Sequence, residues 1–314
     1  MIAGETDGRS SADRITGGTR WLLVAFTVLT ALAVVQLLVL SDVAEQLWAW
    51  TIHTELTAAF LGAAYGAGLV LSVGSLVQRD WGRIRVPILT VTVFTWLTAI
   101  PTVIHLHKLH LVTGGLFSRG VSWVWLAVYL VVPVACVAVV ARQEQRYRTR
   151  PRDVLRPMPG WLTAVLAVEG VVLILAGLLL YFGGMRVHHG TPTTSWIWPW
   201  SLMPLSSQVI GAWLISLGLA AGLAIGELDL SRLRVAGMTY TAFGVFQFVA
   251  VLWYWPQVER HDLRLWGYLA VLGAVVATGA YGWWAARGGG RAADDAAGGP
   301  ATGTRPVVVT SGPA

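Results

Sequence analysis

Eight long apolar runs dominate this sequence. They lie near residues 20–40, 56–77, 86–104, 121–141, 161–182, 206–226, 235–254 and 265–286. A bilayer core of about 30 Å takes roughly 20 apolar residues to cross as a helix. Lipid offers backbone N–H and C=O groups no partners, so a spanning segment is a helix or part of a closed barrel. A barrel is excluded, because nothing here alternates with period two over strand-length segments. Only 12% of the residues are charged and 55% are hydrophobic, against about 25% charged in a soluble domain. Seventeen Trp and 35 Gly agree with a membrane composition. The first run follows about twenty polar residues and is too long for a signal-peptide core. It is expected to be a span in its own right.

Charge sets the orientation. With the N-terminus inside, one face holds 17 of the 22 Lys and Arg residues and the other only 5: Lys108, Arg119, Arg186, Arg260 and Arg264. This positive-inside bias predicts a multi-pass cell-membrane protein with both termini cytoplasmic. The net charge of +6 is then a property of loops facing an anionic leaflet. It implies no nucleic-acid partner. A single Lys beside 21 Arg reads as the codon bias of a GC-rich bacterial genome. Cys136 is the only cysteine, which excludes an intrachain disulfide and CxxC chemistry.

The chain repeats itself. "DWGRIRV" (80–86) matches "DLSRLRV" (229–235), and at the same offset Leu56, Gly62 and Ala63 meet Leu205, Gly211 and Ala212. With a one-residue shift "WAW" (48–50) meets "WPW" (198–200), and Trp21 and Trp161 open the two halves. The expected fold is all-α, with eight transmembrane helices as two parallel four-helix repeats. Residues 20–141 form the first repeat and 161–286 the second. The Arg-rich cytoplasmic linker 142–160 joins them, and disordered cytoplasmic tails occupy 1–19 and 287–314. An even number of spans per unit gives both halves the same orientation, as in transporters that bind substrate between such halves. Small residues four apart let helices approach closely in lipid. That makes Gly62 and Gly66 in span two, and Gly218 and Gly222 in span six, candidates for central packing.

All seven histidines fall on the outer side or at its boundary, in "IHLHKLH" (104–110) and at His53, His188, His189 and His261. His107 and His110 would share a face if the helix continued, being three apart. With His53 they are the candidate ligands for a divalent metal or a haem. The second half has "WYWPQVE" (253–259) at the matching place, with no histidine. An interfacial role without any cofactor is therefore the first expectation. Ten of the tryptophans crowd the same side, beyond an ordinary aromatic belt, and mark a docking face for a protein partner.

Glu169 is the sharper signal. It is the one charged residue within a predicted hydrocarbon core, about 12 Å into span five at ~1.5 Å per residue. An acid there costs about 2.5–3.5 kcal/mol and normally faces the protein interior. No Lys or Arg shares the core, so the carboxyl is expected to be neutral and held by amide or hydroxyl groups, with Gln247 the best placed. Together they are the candidate substrate site or proton relay. No P-loop, GxSxG elbow or HExxH pattern occurs, and no catalytic residue is proposed.

The Trp-x-Trp, Leu, Gly-Ala series and the D-x-x-R-[IL]-R-V loops resemble a family of uncharacterised eight-span membrane proteins of GC-rich bacteria. The resemblance covers roughly residues 20–285 and implies topology but no chemistry. The chain is also similar, in topology alone, to haem A synthases, which pair two four-helix halves and carry haem histidines in both; here the second half departs from that pattern. The sequence thus leaves three readings: a transporter-like protein acting through Glu169, a haem- or metal-binding redox protein, and a structural or assembly protein. Reporter fusions after residues 150 and 290 are expected to behave as cytoplasmic, and fusions near 115 and 190 as exported. An exported signal from the 142–160 segment overturns the topology.

Overall fold

Helices long and apolar enough to cross a membrane number eight in the computed structural model, which describes residues 14–147, 154–185 and 197–298. They are α1 Gly17–Val34, α2 Glu55–Leu76, α3 Trp81–Ile104, α4 Leu116–Tyr147, α5 Gly160–Met185, α6 Pro204–Glu227, α7 Arg234–Trp253 and α8 Leu263–Gly298. The chain is an all-α, multi-pass membrane protein. Helix ends overrun the apolar runs, because a backbone hydrogen-bond ladder does not stop where the lipid does. α3 starts at Trp81, five residues before the apolar run, and α4 continues to Tyr147 into the segment expected to be a linker. Arg, Gln and Glu at its end are good helix formers. Most of both expected tails, part of the linker, His188, His189 and Trp196 lie outside the described residues.

Each helix packs on its chain neighbour within the pairs α1–α2, α3–α4, α5–α6 and α7–α8, and the most extensive contacts between pairs are α2–α7 and α3–α6. Burial follows this arrangement. The apolar window of α2 is 83% buried and that of α6 56%, whereas α1, α4 and α8 stand at 28% and face outward. The α5–α6 contact is the most extensive, and glycine makes it so. A Cβ on Gly218 would lie 2.6 Å from the Gly170 carbonyl oxygen, and one on Gly211 2.7 Å from that of Gly177. Gly62 packs its backbone against Leu37 and Leu38, and Gly66 against the Phe246 ring. Gly222 differs: nothing stands within 4 Å of where its Cβ would be.

A proline inside a helix leaves a carbonyl unpaired, and at one such proline a neighbouring helix supplies the partner. Pro101 has no N–H to donate back to Leu97. The Tyr181 hydroxyl of α5 donates to that free carbonyl at 2.8 Å. Sequence spacing alone makes Gly218 and Gly222 equivalent, but their surroundings do not. Gly218→Leu is expected to cost about 1–3 kcal/mol by overpacking and to lower the melting temperature in detergent. Gly222→Leu is expected to leave it unchanged. Equal effects would contradict the packing described.

Candidate functional site

Two polar centres and two aromatic groups stand out among the described residues. The first centre lies at the Arg-rich end. Arg85, in the first turns of α3, chelates Glu144 of α4 through Nε (2.6 Å) and Nη2 (3.1 Å). Its Nη1 also bonds Glu227 at the end of α6. Arg232 meets the other Glu227 oxygen at 3.4 Å and Asp229 at 3.5 Å. It also donates to the Tyr147 hydroxyl at 3.1 Å. Glu227 and Asp229 have no exposed side-chain surface. A buried charge left alone would be very costly, so each member depends on the rest. Burial would raise the Asp229 carboxyl, but hydrogen bonds from Ser231, Leu155 and Arg156 outweigh it and hold the group below its ordinary value. Leu228, which links α6 to this loop, is left-handed at φ 56°, a conformation that costs a residue with a side chain about 1–2 kcal/mol.

The sequence carried a signal for this network that topology obscured. Arg85 and Arg232 belong to the two matching D-x-x-R-[IL]-R-V loops, read above only as repeat markers. Glu227 sits one residue past an apolar run.

Glu169 is the second centre. Its side chain is buried, with 6% exposure, and its two oxygens lie 3.3 and 3.0 Å from the Thr278 hydroxyl of α8. The same hydroxyl is 2.9 Å from the Ala274 carbonyl of its own helix. Gln247 is elsewhere: it donates to the Phe60 carbonyl at 3.0 Å and faces the Tyr268 hydroxyl at 3.3 Å. It thus joins α7 to α2 rather than partnering the acid. Thr278 and Tyr240 line a cavity of about 60 Å³ among α2, α3, α5, α6, α7 and α8, bounded also by Val86, Pro87 and Leu233 next to the ion network. The Tyr240 hydroxyl is buried and has no partner among the described residues.

The aromatic groups close the opposite end. Trp48, Trp50 and Trp125 pack edge to face. Phe60, Trp198, Trp200 and Tyr268 do the same. Each group bonds a distant helix: Trp50 Nε1 donates to Ser206 Oγ of α6 at 3.2 Å, and Trp200 Nε1 donates to Thr57 Oγ1 of α2 at 3.0 Å. Trp48, Trp50, Trp125 and Trp198 are buried, whereas Trp123, Trp253 and Trp266 are exposed. Much of the tryptophan expected to meet a partner is therefore spent inside the chain.

The histidines separate. α3 ends at Ile104 and a short 3-10 turn follows, Leu106–Lys108, so His107 and His110 do not share a helical face. His107 is exposed. His110 Nδ1 donates to the Trp48 carbonyl at 3.2 Å, which leaves Nε2 to accept from Thr51 Oγ1 at 3.1 Å. His53 bonds Glu45 at 3.1 Å. Among the described residues no three His, Cys, Asp or Glu side chains stand together as metal ligands. His105 is the buried one, 2.7 Å from Gln208 Oε1 of α6. Burial pushes its imidazole below the ordinary value; the Gln208 bond opposes this, and His107 and Lys108 add to it.

Comparison with protein-family models, with curated proteins and with solved structures gives no match. The class of the chain, a polytopic membrane protein, rests on its own eight helices.

A lowered histidine is neutral when folded and must take up charge on acidification. Its burial is compatible with the neutral ring above about pH 6.5, and the stability that goes with it is lost as the pH falls through the lowered folded-state value. The melting temperature in detergent is expected to drop on titration from pH 7.5 to 5, and to drop less in His105→Gln. An equal drop in both would show that His105 is not the group responsible.

Proposed function

We propose that this protein is a duplicated, transporter-like membrane protein that moves protons through the space between its halves, with Glu169 as the carrying acid. The observation that carries the reading is the sharing of one hydroxyl. Thr278 has one proton and already faces the Ala274 carbonyl. Glu169 therefore fits best as a carboxylic acid donating to Thr278 Oγ1, a neutral form that lipid burial favours. Thr278 lines the cavity, and a neutral acid one hydrogen bond behind it is a group that can release and regain a proton through that hydroxyl. The cavity of about 60 Å³ has room for several waters and none for a metabolite.

The duplication and orientation belong to the same reading. The reciprocal bonds of Trp50 to Ser206 and Trp200 to Thr57 support two related halves. So do the matched bridges Arg14–Asp80 and Pro157–Asp229. The Arg85–Glu227–Arg232 network closes the Arg-rich end, taken as cytoplasmic from the charge bias, and the tryptophans close the outer end. A relay sealed at both ends has to open one at a time to conduct.

In vesicles with an entrapped pH-sensitive dye, the full-length protein is expected to pass protons down an imposed gradient. Glu169→Gln, which keeps size and hydrogen bonding, is expected to abolish the flux while leaving the melting temperature within a few degrees of wild type. Infrared difference spectra are expected to lose a protonated-carboxyl band in the same variant. Proton flux in Glu169→Gln equal to wild type, or no flux in either, removes the proposal.

A further inference from the structure

A second cavity lies within the first half and is far larger. It measures about 740 Å³, within the 300–1,000 Å³ range of small-molecule sites. α1, α2, α3 and α4 surround it, with Trp213 of α6 at the back. It does not touch Glu169 or the inter-half cavity. We propose that it is a binding site for a neutral lipid whose apolar tail ends in a flat, carbonyl-bearing ring, the chemistry of a membrane quinone.

Three observations carry this. The first is unpartnered polarity. Trp48 Nε1, Trp213 Nε1 and Gln36 Oε1 are sealed from solvent and have no hydrogen-bond partner among the described residues, and all three residues line the cavity. Trp48 is only 3% exposed. A buried donor without a partner costs about 1–3 kcal/mol. Both indoles belong to the cavity wall, so a small rotation of either ring would bring an unpaired N–H onto a ligand's carbonyl oxygen, and the Gln36 amide can serve an adjoining hydroxyl or carbonyl. The second is Gln36's place in the backbone. It lies in a π-helical turn, Val35–Val39, that ends the first span. Such turns are rare and collect at functional sites, where they re-aim side chains.

The third is the shape and charge of the wall. Trp48, Tyr65, Trp125, Tyr129, Phe94 and Trp213 form a continuous aromatic surface, with successive ring centroids 4.1–6.3 Å apart. The Tyr65 and Tyr129 hydroxyls pair with each other at 3.0 Å. Flat rings stack well on such a surface. Among the described residues that line the cavity there is no Lys, Arg, His, Asp or Glu. A phosphate headgroup would find no counter-charge inside, whereas a neutral ring would need none. The entrance is on the lipid side, since Leu32, Phe117 and Val124 line the cavity and are exposed. A ligand therefore arrives from the bilayer.

Gly120 gives a clean test. It lines the cavity, is exposed, and has nothing within 4 Å of where a Cβ would be. Gly120→Phe fills the space without touching the fold. Gly115 is equally free of neighbours but does not line the cavity, so Gly115→Phe is the control. The full-length protein is reconstituted in phosphatidylethanolamine–phosphatidylglycerol vesicles with a decyl-tailed benzoquinone carrying a diazirine, irradiated and digested. Label is expected on the α1 and α4 segments that line the cavity, displaced by unlabelled quinone and reduced about tenfold in Gly120→Phe but not in Gly115→Phe. Trp48→Phe is expected to weaken binding about three- to tenfold, the worth of one hydrogen bond. Label spread over every lipid-facing helix, or unchanged in Gly120→Phe, overturns the site. A diazirine-bearing phosphatidylglycerol that labels the same segments and is not displaced by quinone overturns the ligand class. None of these outcomes depends on proton flux through Glu169.

Discussion

Inside a bilayer a polar group has no water to fall back on, and every strong contact in this protein answers that constraint. Threonines and serines along the spans turn their hydroxyls back to carbonyls three or four residues earlier, as Thr90, Thr92, Ser72 and Thr102 do. Where a proline breaks the ladder, Tyr181 crosses from another helix to satisfy Leu97. Where charges must be buried, they come as a set: Glu227 has no exposed surface and two arginines. Lipid gives helices little hydrophobic reason to associate, so close backbone approach and cross-bonding have to supply the cohesion. The Gly170–Gly218 and Gly177–Gly211 contacts provide the first, and the tryptophan and arginine bonds across the middle provide the second.

Span number and fold class were legible because hydrophobic length is a one-dimensional signal. The ends were less so. α3 begins at Trp81 rather than near 86, since Arg83 and Arg85 are helical residues although they are not apolar ones. Glu169 was legible as a buried acid because an isolated charge in an apolar run has few alternatives. Its partner was not. Thr278 is 109 residues away and is one threonine among many, whereas Gln247 looked stronger on chemistry alone and spends its amide on the Phe60 carbonyl. The histidines show the opposite error of emphasis. Their clustering in sequence is conspicuous, but the helix ends at Ile104, and the irregular backbone beyond it sends His105 to Gln208 and His110 to Trp48 and Thr51. Spacing predicts a shared face only while the period holds.

The ion network went unread for a different reason. Arg85 and Arg232 occur at the membrane boundary, where arginine is expected from topology. A topological explanation is sufficient for the sequence and so hides a structural one. Only the third dimension brings the end of α6 against the starts of α3 and α7 and shows that those arginines meet a fully buried glutamate.

The same logic explains where the large cavity lies. Between α5 and α6 two glycines meet, with a Gly218 Cβ position 2.6 Å from the Gly170 carbonyl. Close backbone approach of that kind leaves no room for a ligand at the contact. Between α1 and α2 a side chain stands in the contact instead: the Thr30 methyl lies 3.3 Å from the Gly68 Cβ position. It holds that stretch of α1 off α2, and Thr30 and Gly68 both line the space that results. The choice between a glycine pair and a threonine–glycine pair at a helix crossing thus decides whether two spans close on each other or leave a pocket open to lipid.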